Sequence, residues 1–170
     1  NCFLELPDGP LFHAVSWLPT RAVVRTMSTC CSFQARLPPS VTTIEFIARN
    51  NGRLAVQVAH RFPNLCSVIL VDIANENLLT LAVGCPGLTN IGLGGCSKIT
   101  DVGIGALAQG CPGLTSIVVR HCFKITDVGI GALAVGCPGL TSIDLCSCSK
   151  ITDVGIRALA EGCPGILISK

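Results

Sequence analysis

The strongest constraint on this chain is a phrase of 26 residues that occurs three times in succession without a gap. The copies read CPGLTNIGLGGCSKITDVGIGALAQG at 85–110, CPGLTSIVVRHCFKITDVGIGALAVG at 111–136 and CPGLTSIDLCSCSKITDVGIRALAEG at 137–162. A period of about 20 to 50 residues is typical of solenoids, in which each unit packs against its neighbours. We therefore expect the shared residues to form a scaffold and the variable residues to mark the functional surface.

The first half of each copy predicts a short strand. Ile91 and Leu93 lie two residues apart and so share the buried face, while Gly92 points the other way. The second half predicts a helix with an inward stripe at i, i+3 and i+4, ended by a glycine and then a proline. The stripe of the first copy is Ile104, Leu107 and Ala108. The aspartates at the helix starts are predicted to cap their own helices: Asp101, Asp127 and Asp153.

Composition excludes several classes of protein. The chain has 170 residues, of which 49% are hydrophobic and 13% charged, so disorder is not expected. Its formal charge of +2, without any Lys/Arg-rich run, gives no electrostatic footprint for nucleic acid. Gly, Pro or a charged residue interrupts every apolar stretch before the length of about 18 residues that a membrane span needs.

Most of the twelve cysteines keep the register of the repeat. A cysteine in the same place in every copy has no obvious disulfide partner, and a free cysteine packs as a small buried hydrophobe. We favour a reducing intracellular compartment, cytoplasmic or nuclear, or an organelle reached after removal of a targeting peptide, over a disulfide scaffold. Cys146 and Cys148 lack a second ligand pair at zinc-finger spacing, so neither a metal nor another cofactor is predicted.

The phrase C-x-x-L-x-x-I-x-L-x-x-C-x-x-I-T-D-x-G resembles the cysteine-containing leucine-rich repeat found in F-box proteins. That resemblance implies an α/β leucine-rich-repeat solenoid with one parallel strand and one helix per repeat. It covers 85–170, with 163–170 as a partial copy. Residues 37–84 resemble the repeat more loosely, in 41–61 and in 62–84.

A second resemblance lies in LPDGPLFHAVSWLPTRAVVRTMSTCCSF, residues 6–33. It is similar to the F-box pattern of Leu-Pro, an apolar helix, Leu-Pro and a second helix, which implies that a helical segment, 1–36, docks on a Skp-type adaptor. The second helix would start at Thr20 and bury Val23, Met27, Cys30 and Cys31. The alternative is a helical cap on the first repeat. The positions that fit the F-box pattern are Leu6, Pro7, Leu11, Val15, Leu18, Val23, Cys30 and Phe33.

Comparison of the three copies argues against the candidate catalytic motifs. GLGGCSKIT at 92–100 is Gly-rich and follows a strand, but Lys98 recurs as Lys124 and Lys150 and therefore belongs to the repeat, not to a phosphate site. His121 precedes Cys122, yet neighbours on an extended segment point to opposite faces. We predict that the chain is not an enzyme.

The residues that vary lie on the concave face of the predicted sheet, opposite the helices, which we call the open face. Its outward columns should run across adjacent strands about 4.8 Å apart. Arg120 and Asp144 are the charged points, and the surrounding small or apolar residues suit a protein partner. The predicted partner-binding residues are Ile69, Val71, Asn90, Ser116, Val118, Arg120, Ser142, Asp144 and Cys146.

Two hypotheses for function follow. In the first, implied by the resemblance, the chain is a substrate-recognition subunit of a Skp–cullin ubiquitin ligase, which binds an adaptor and a substrate protein. In the second, it is a structural subunit of a large stable assembly, with neighbouring subunits as partners and a vestigial F-box. The second is favoured by low charge and by a C-terminal end that we expect to expose apolar residues such as Leu159.

Overall fold

The computed structural model describes residues 26–27, 43–47 and 65–170. Four helices of ten residues alternate with short strands along the last of these ranges. The strands are β1 Thr26–Met27, β2 Thr43–Ile47, β3 Ser67–Ile69, β4 Asn90–Gly92, β5 Ser116–Val118, β6 Ser142–Asp144 and β7 Leu167–Ser169. The helices are α1 Asn75–Gly84, α2 Asp101–Gly110, α3 Asp127–Gly136 and α4 Asp153–Gly162.

The described strands form one parallel sheet whose order follows the chain. From β3 to β6 the register joins equivalent positions, so that Ile91 pairs with Ile117 and Ile117 with Ile143. Each helix packs against the next helix in the chain, as α2 does against α3. The result is a solenoid in which every repeat contributes one strand to the sheet and one helix to the opposite side.

The core lies between sheet and helices and follows the predicted stripes. Ile91 and Leu93 of the strand segment are buried, as are Ile104, Leu107 and Ala108 of α2. The same positions are buried in the following repeat, and no polar or charged residue of the described part is buried among them. The strand and helix faces predicted from the sequence are therefore confirmed for residues 85–136.

The shared cysteines and threonines connect neighbouring repeats through the backbone. The Cys137 thiol donates to the carbonyl of Cys111 at 3.5 Å, and the Cys163 thiol donates to that of Cys137 at 3.3 Å. The Thr141 hydroxyl donates in the same way to the carbonyl of Thr115 at 2.9 Å. Because each side chain reaches back one repeat, these letters of the motif recur for a structural reason.

Asp101 and Asp127, which begin α2 and α3, hydrogen-bond to the start of the following helix and do not cap their own. Thr126 is the N-cap of α3, and its hydroxyl accepts from Val128 N. The Asp101 carboxylate, one repeat earlier, accepts hydrogen bonds from Thr126 N at 2.8 Å, Thr126 Oγ1 at 2.7 Å and Gly129 N at 3.1 Å. The prediction that these aspartates cap their own helices is wrong, because the threonine before each one already does so.

Acid should weaken this connection. Hydrogen bonds from the side chain and backbone of Thr152 lower the pKa of Asp127 below its ordinary value of 3.8. The folded chain thus binds fewer protons than the unfolded chain, so the stabilisation is present above the unfolded pKa and is lost as pH falls through the folded pKa. We expect the urea midpoint to drop on acidification by less in Asp127→Asn than in the parent chain. An equal drop in both would contradict this.

The C-terminal end differs from the sequence-based expectation. Leu159 was expected to be exposed but has no exposed area. The following segment does not stop short of a strand: it forms β7, which pairs with β6, and Ile166 and Ile168 pack against the core. The last strand instead exposes Leu167, at 73%.

Near the N-terminus, the structure bears on the predicted second helix of the F-box-like segment. Thr26–Met27 forms β1 and pairs in parallel with Phe46 and Ile47 of β2. The helix prediction is therefore wrong at Met27. Thr26 is a β-branched residue that favours extended backbone, and pairing with β2 supplies hydrogen-bonding partners for it.

No helix within the described ranges combines the length and the apolar character that crossing a bilayer would require.

Candidate functional site

The open face presents the predicted columns side by side. Ser67, Asn90, Ser116 and Ser142 are aligned by strand register in one column. Ile69, Gly92, Val118 and Asp144 are aligned in the next. Because the strands are parallel and in equivalent register, each repeat contributes one residue to each column. A ligand that lies across the strands would therefore contact consecutive residues of the same column.

A groove of about 360 Å³ crosses this face from β3 to β5. Its floor lies at Gly92 and Gly94, where the neighbouring repeats carry side chains at the same positions. Ile69, 41% exposed, forms one wall and leans over Gly92, so that a Cβ on that glycine would lie 3.2 Å from Ile69 Cγ1. The full lining is Ser67, Val68, Ile69, Val71, Asn90, Ile91, Gly92, Gly94, Ser116 and Val118.

Glycine makes the groove accessible to a ligand. A Cβ on Gly94 would meet nothing within 4 Å, so the space above this backbone is open. Glycine allows close approach of another backbone or a ligand, since no side chain stands between the ligand and the sheet at the end of β4. The groove is therefore apolar along its walls, polar at the hydroxyl and amide groups of Ser116 and Asn90, and bare at its floor.

The charged points of the open face form an ion pair. Arg120 Nε lies 2.5 Å from Asp144 Oδ2, on the neighbouring repeat. The Asp144 carboxylate also accepts from Cys146 N at 3.1 Å. Partial burial tends to raise the pKa of Asp144, but the hydrogen bonds from Cys146 and Arg120 outweigh it and lower that pKa overall. Asp144 is thus held ionised and largely covered, whereas Arg120 keeps 55% of its side chain exposed.

The structure brings together five of the nine predicted open-face residues in the groove. These are Ile69, Val71, Asn90, Ser116 and Val118. The other four, Arg120, Ser142, Asp144 and Cys146, continue the surface beyond it toward β6. Gly92 and Gly94 were missing from the predicted site, although side chains at the equivalent positions of the other repeats could have indicated a depression.

The predicted F-box positions Leu6, Pro7, Leu11, Val15, Leu18, Val23, Cys30 and Phe33 lie outside the described residues.

The described residues give little support for nucleophilic or metal chemistry. Burial raises the pKa of Cys137 to about 11. Burial and the nearby Cys96 together raise the pKa of Cys122 to about 12. A hydrogen bond to Asp144 is the main cause of the raised pKa of the Cys146 thiol. Reactive cysteines have lowered pKa values, so these thiols are poor nucleophiles at neutral pH. Across residues 65–170 and the two N-terminal strands, no three potential ligand side chains converge as a metal centre requires.

Alkylation should show this protection directly. We expect iodoacetamide at neutral pH to modify Cys111 and Cys137 more than about tenfold more slowly in the folded chain than in urea, because both are buried and protonated. Peptide mass spectrometry measures each site separately. Equal rates in the folded and unfolded chain would show that the repeat core opens freely.

The fold has counterparts among solved structures. The chain superposes on a chain of the crystal structure of the Rad7 and Elc1 complex in yeast with a TM-score of 0.52 and 15% identity, over 80% of this chain and 44% of that one. It superposes on a chain of the TLR13–ssRNA13 complex with a TM-score of 0.58 and 16% identity, over 89% and 22%. This chain is an α/β leucine-rich-repeat solenoid.

The predicted fold class is thereby confirmed. This chain spans less than half the length of either solved chain. A scan of protein-family models gave no match, and a search of curated proteins gave none. At these identities, the likeness establishes the leucine-rich-repeat fold and nothing about ligands.

Proposed function

We propose that the chain is a non-catalytic protein-interaction module that binds a polypeptide on the open face of its solenoid. The observation that carries this proposal is the groove above Gly92 and Gly94. An open floor, apolar walls and the hydroxyl and amide groups of Ser116 and Asn90 suit an extended peptide segment, whose side chains can pack on the walls and whose main chain can bond to those polar groups.

Filling the groove should weaken peptide binding without unfolding the chain. The equivalent positions of Gly94 hold Val71, Arg120 and Cys146, so the repeat accommodates a side chain there, and Gly94→Leu would block the floor. Peptides of about twelve residues, spanning about 40 Å when extended, can be selected on phage against the full chain. We expect them to bind Gly94→Leu at least about tenfold more weakly.

The matched control is Gly113→Leu. Gly113 lies in the turn before β5, outside the groove lining, and a Cβ there would also meet nothing within 4 Å. It should retain binding. Selection of no peptide above background, or equal affinity for the two variants, would contradict the proposal.

The finer proposal is that this module belongs to a Skp–cullin ubiquitin ligase as its substrate-recognition subunit. It is supported by the resemblance of residues 6–33 to an F-box directly before repeats of the cysteine-containing type. In this proposal 1–36 binds the adaptor, and 37–84 and 85–170 form the looser and the regular repeats that bind substrate. The chain would act by holding substrate near the ligase at high effective concentration.

Co-purification with a Skp-type adaptor tests the ligase proposal separately from the groove. We expect the parent chain to retain the adaptor at physiological salt and the double variant Leu11→Asp, Val15→Asp to lose it, with unchanged circular dichroism. A folded parent chain that does not bind the adaptor would contradict the ligase proposal and leave the peptide-binding proposal standing.

A structural subunit of a stable assembly is the second candidate. Exposed apolar side chains outside the groove favour it, with Leu167 at 73% on β7 and Val135 at 85% on α3. It predicts that this chain and its neighbours remain together through gel filtration at nanomolar concentration, whereas a recruitment module exchanges its substrate.

A further inference from the structure

The turn after β5 departs from the repeat in a way that the scaffold does not require. Three of its positions hold large side chains, whereas the turns on both sides hold small ones. Arg120 stands where the neighbours have Gly94 and Cys146, His121 where they have Gly95 and Ser147, and Phe123 where they have Ser97 and Ser149. Since the small residues fit the same backbone, the large ones are not needed to form the turn.

These turns lie side by side in the structure. Gly95 N donates to the carbonyl of Arg120 at 2.7 Å, and His121 N donates to that of Cys146 at 3.0 Å. The large residues of the middle turn therefore project between shorter neighbours. We call Arg120, His121 and Phe123 the turn cluster.

The turn cluster is exposed and partly organised. Phe123 is 49% exposed, and its ring centroid lies 6.2 Å from that of the His121 imidazole at an interplanar angle of 55°. His121 has a φ of 58°, a left-handed conformation that a side chain adopts at some cost and that Gly95 adopts without it. Exposed aromatic and arginine side chains are the residue types enriched at binding hot spots.

Arg120 retains the capacity to bind a second anion. Its Nε donates a hydrogen bond to Asp144, and its two terminal nitrogens have no hydrogen-bond partner among the described residues. A guanidinium group can bind one carboxylate through each side of its fork. Asp144, in contrast, is already engaged by Arg120 and by Cys146 N.

Within the three neighbouring turns the charged residues are all basic. The turns 94–98, 120–124 and 146–150 together contain four basic residues, one histidine and no acidic residue. Lys98 is neutralised by Asp72 at 3.2 Å, whereas Lys124 and Lys150 have no ion pair within the described residues. An acidic ligand therefore gains attraction along this edge and meets no opposing carboxylate in the turns.

We infer that the turn cluster is a specificity site for an acidic protein segment, in which a carboxylate binds Arg120 and an adjacent apolar side chain packs on Phe123. This inference rests on the proposed function, because Arg120 also borders the open face and the bound segment would continue from the groove onto the turn cluster. Single-stranded nucleic acid fits less well, because its binding surfaces present aromatic residues in series for successive bases, whereas this edge presents Phe123 and one neighbouring imidazole.

The peptides selected on phage test the inference through their composition. We expect an excess of Asp and Glu beside an aromatic or aliphatic residue. We also expect Arg120→Ser and Phe123→Ser each to weaken binding by at least about tenfold. Phe123→Ser copies the residue of both neighbouring repeats, so it should fold. Val135→Ser, which replaces an apolar residue 85% exposed on the helix side of the same repeat, is the control and should bind normally.

The variants separate the two proposals. Peptides that lose affinity for Gly94→Leu but not for Phe123→Ser or Arg120→Ser would contradict the inference that the turn cluster is a specificity site and support the proposal that the groove binds peptide. Peptides that lose affinity only for the turn variants would support the turn cluster as a binding site and contradict the proposal that the groove binds peptide. Oligomers of uridine or deoxythymidine that bind the chain, depend on Arg120 and Phe123 and outcompete acidic peptides would overturn the inference in favour of nucleic acid.

Discussion

Replacing Gly136 with alanine is expected to lower the free energy of unfolding by about 3 kcal/mol, because the new methyl group has no room. A Cβ at this position would lie 2.8 Å from both the carbonyl carbon and the Cβ of Ala108 on the preceding helix, and closer still to its carbonyl oxygen. The obstacle is backbone, which cannot rotate aside, so α2 and α3 would have to separate. Urea denaturation followed by circular dichroism measures the loss.

The same substitution elsewhere in α3 should have the opposite sign. A Cβ on Gly131 would meet nothing within 4 Å, and alanine in a helix interior is favoured over glycine by about 1 kcal/mol. Gly131→Ala should therefore stabilise the chain. If both variants lost stability equally, a general intolerance of substitution in α3 would explain the result at Gly136, and the close packing of α2 on α3 would not.

Asp101→Ala is expected to cost about 2 kcal/mol, the second largest effect. The substitution removes the acceptor for Thr126 N, Thr126 Oγ1 and Gly129 N at the start of α3. The loss should appear as weaker coupling between repeats, since the carboxylate and its donors belong to different ones. Hydrogen exchange of α3 amides should quicken along with the fall in the urea midpoint.

Asp153→Ala is the matched control for this prediction. Asp153 occupies the same position in α4, is exposed, and makes no such bonds to a following helix start within the described residues. Its replacement should change stability by less than about 0.5 kcal/mol. A loss as large as that of Asp101→Ala would indicate that the aspartate stabilises its own helix, as the sequence alone had suggested.

The sequence predicted the positions of residues within a repeat better than their partners between repeats. Alternation and helical spacing place Ile91, Leu93 and Leu107 inward, and the structure buries all three. Periodicity does not reveal whether Asp101 faces its own helix or the next. The buried Gly129 does carry that information in retrospect, since a Cβ there would collide with the Asp101 carboxylate.

The candidate site was predictable in outline. Strand alternation is enough to assign Ile69, Val118 and Asp144 to the open face, and parallel register then aligns them. The groove follows from an absence of side chains at Gly92 and Gly94, and the pairing of Arg120 with Asp144 depends on contacts across repeats. Alignment of the repeats shows the two glycines, but the depth of the groove and the ion pair need three-dimensional contacts that the residue pattern does not supply.

The most direct test of the account is to map where a selected peptide binds on the isotope-labelled full chain by nuclear magnetic resonance. We predict that backbone amide shifts change at the groove of β3 to β5 and continue to the turn cluster after β5, with Gly92, Gly94 and Arg120 among the largest. Changes confined to the helix side, at α1 to α4, would contradict the proposal that the open face of this solenoid is its binding surface.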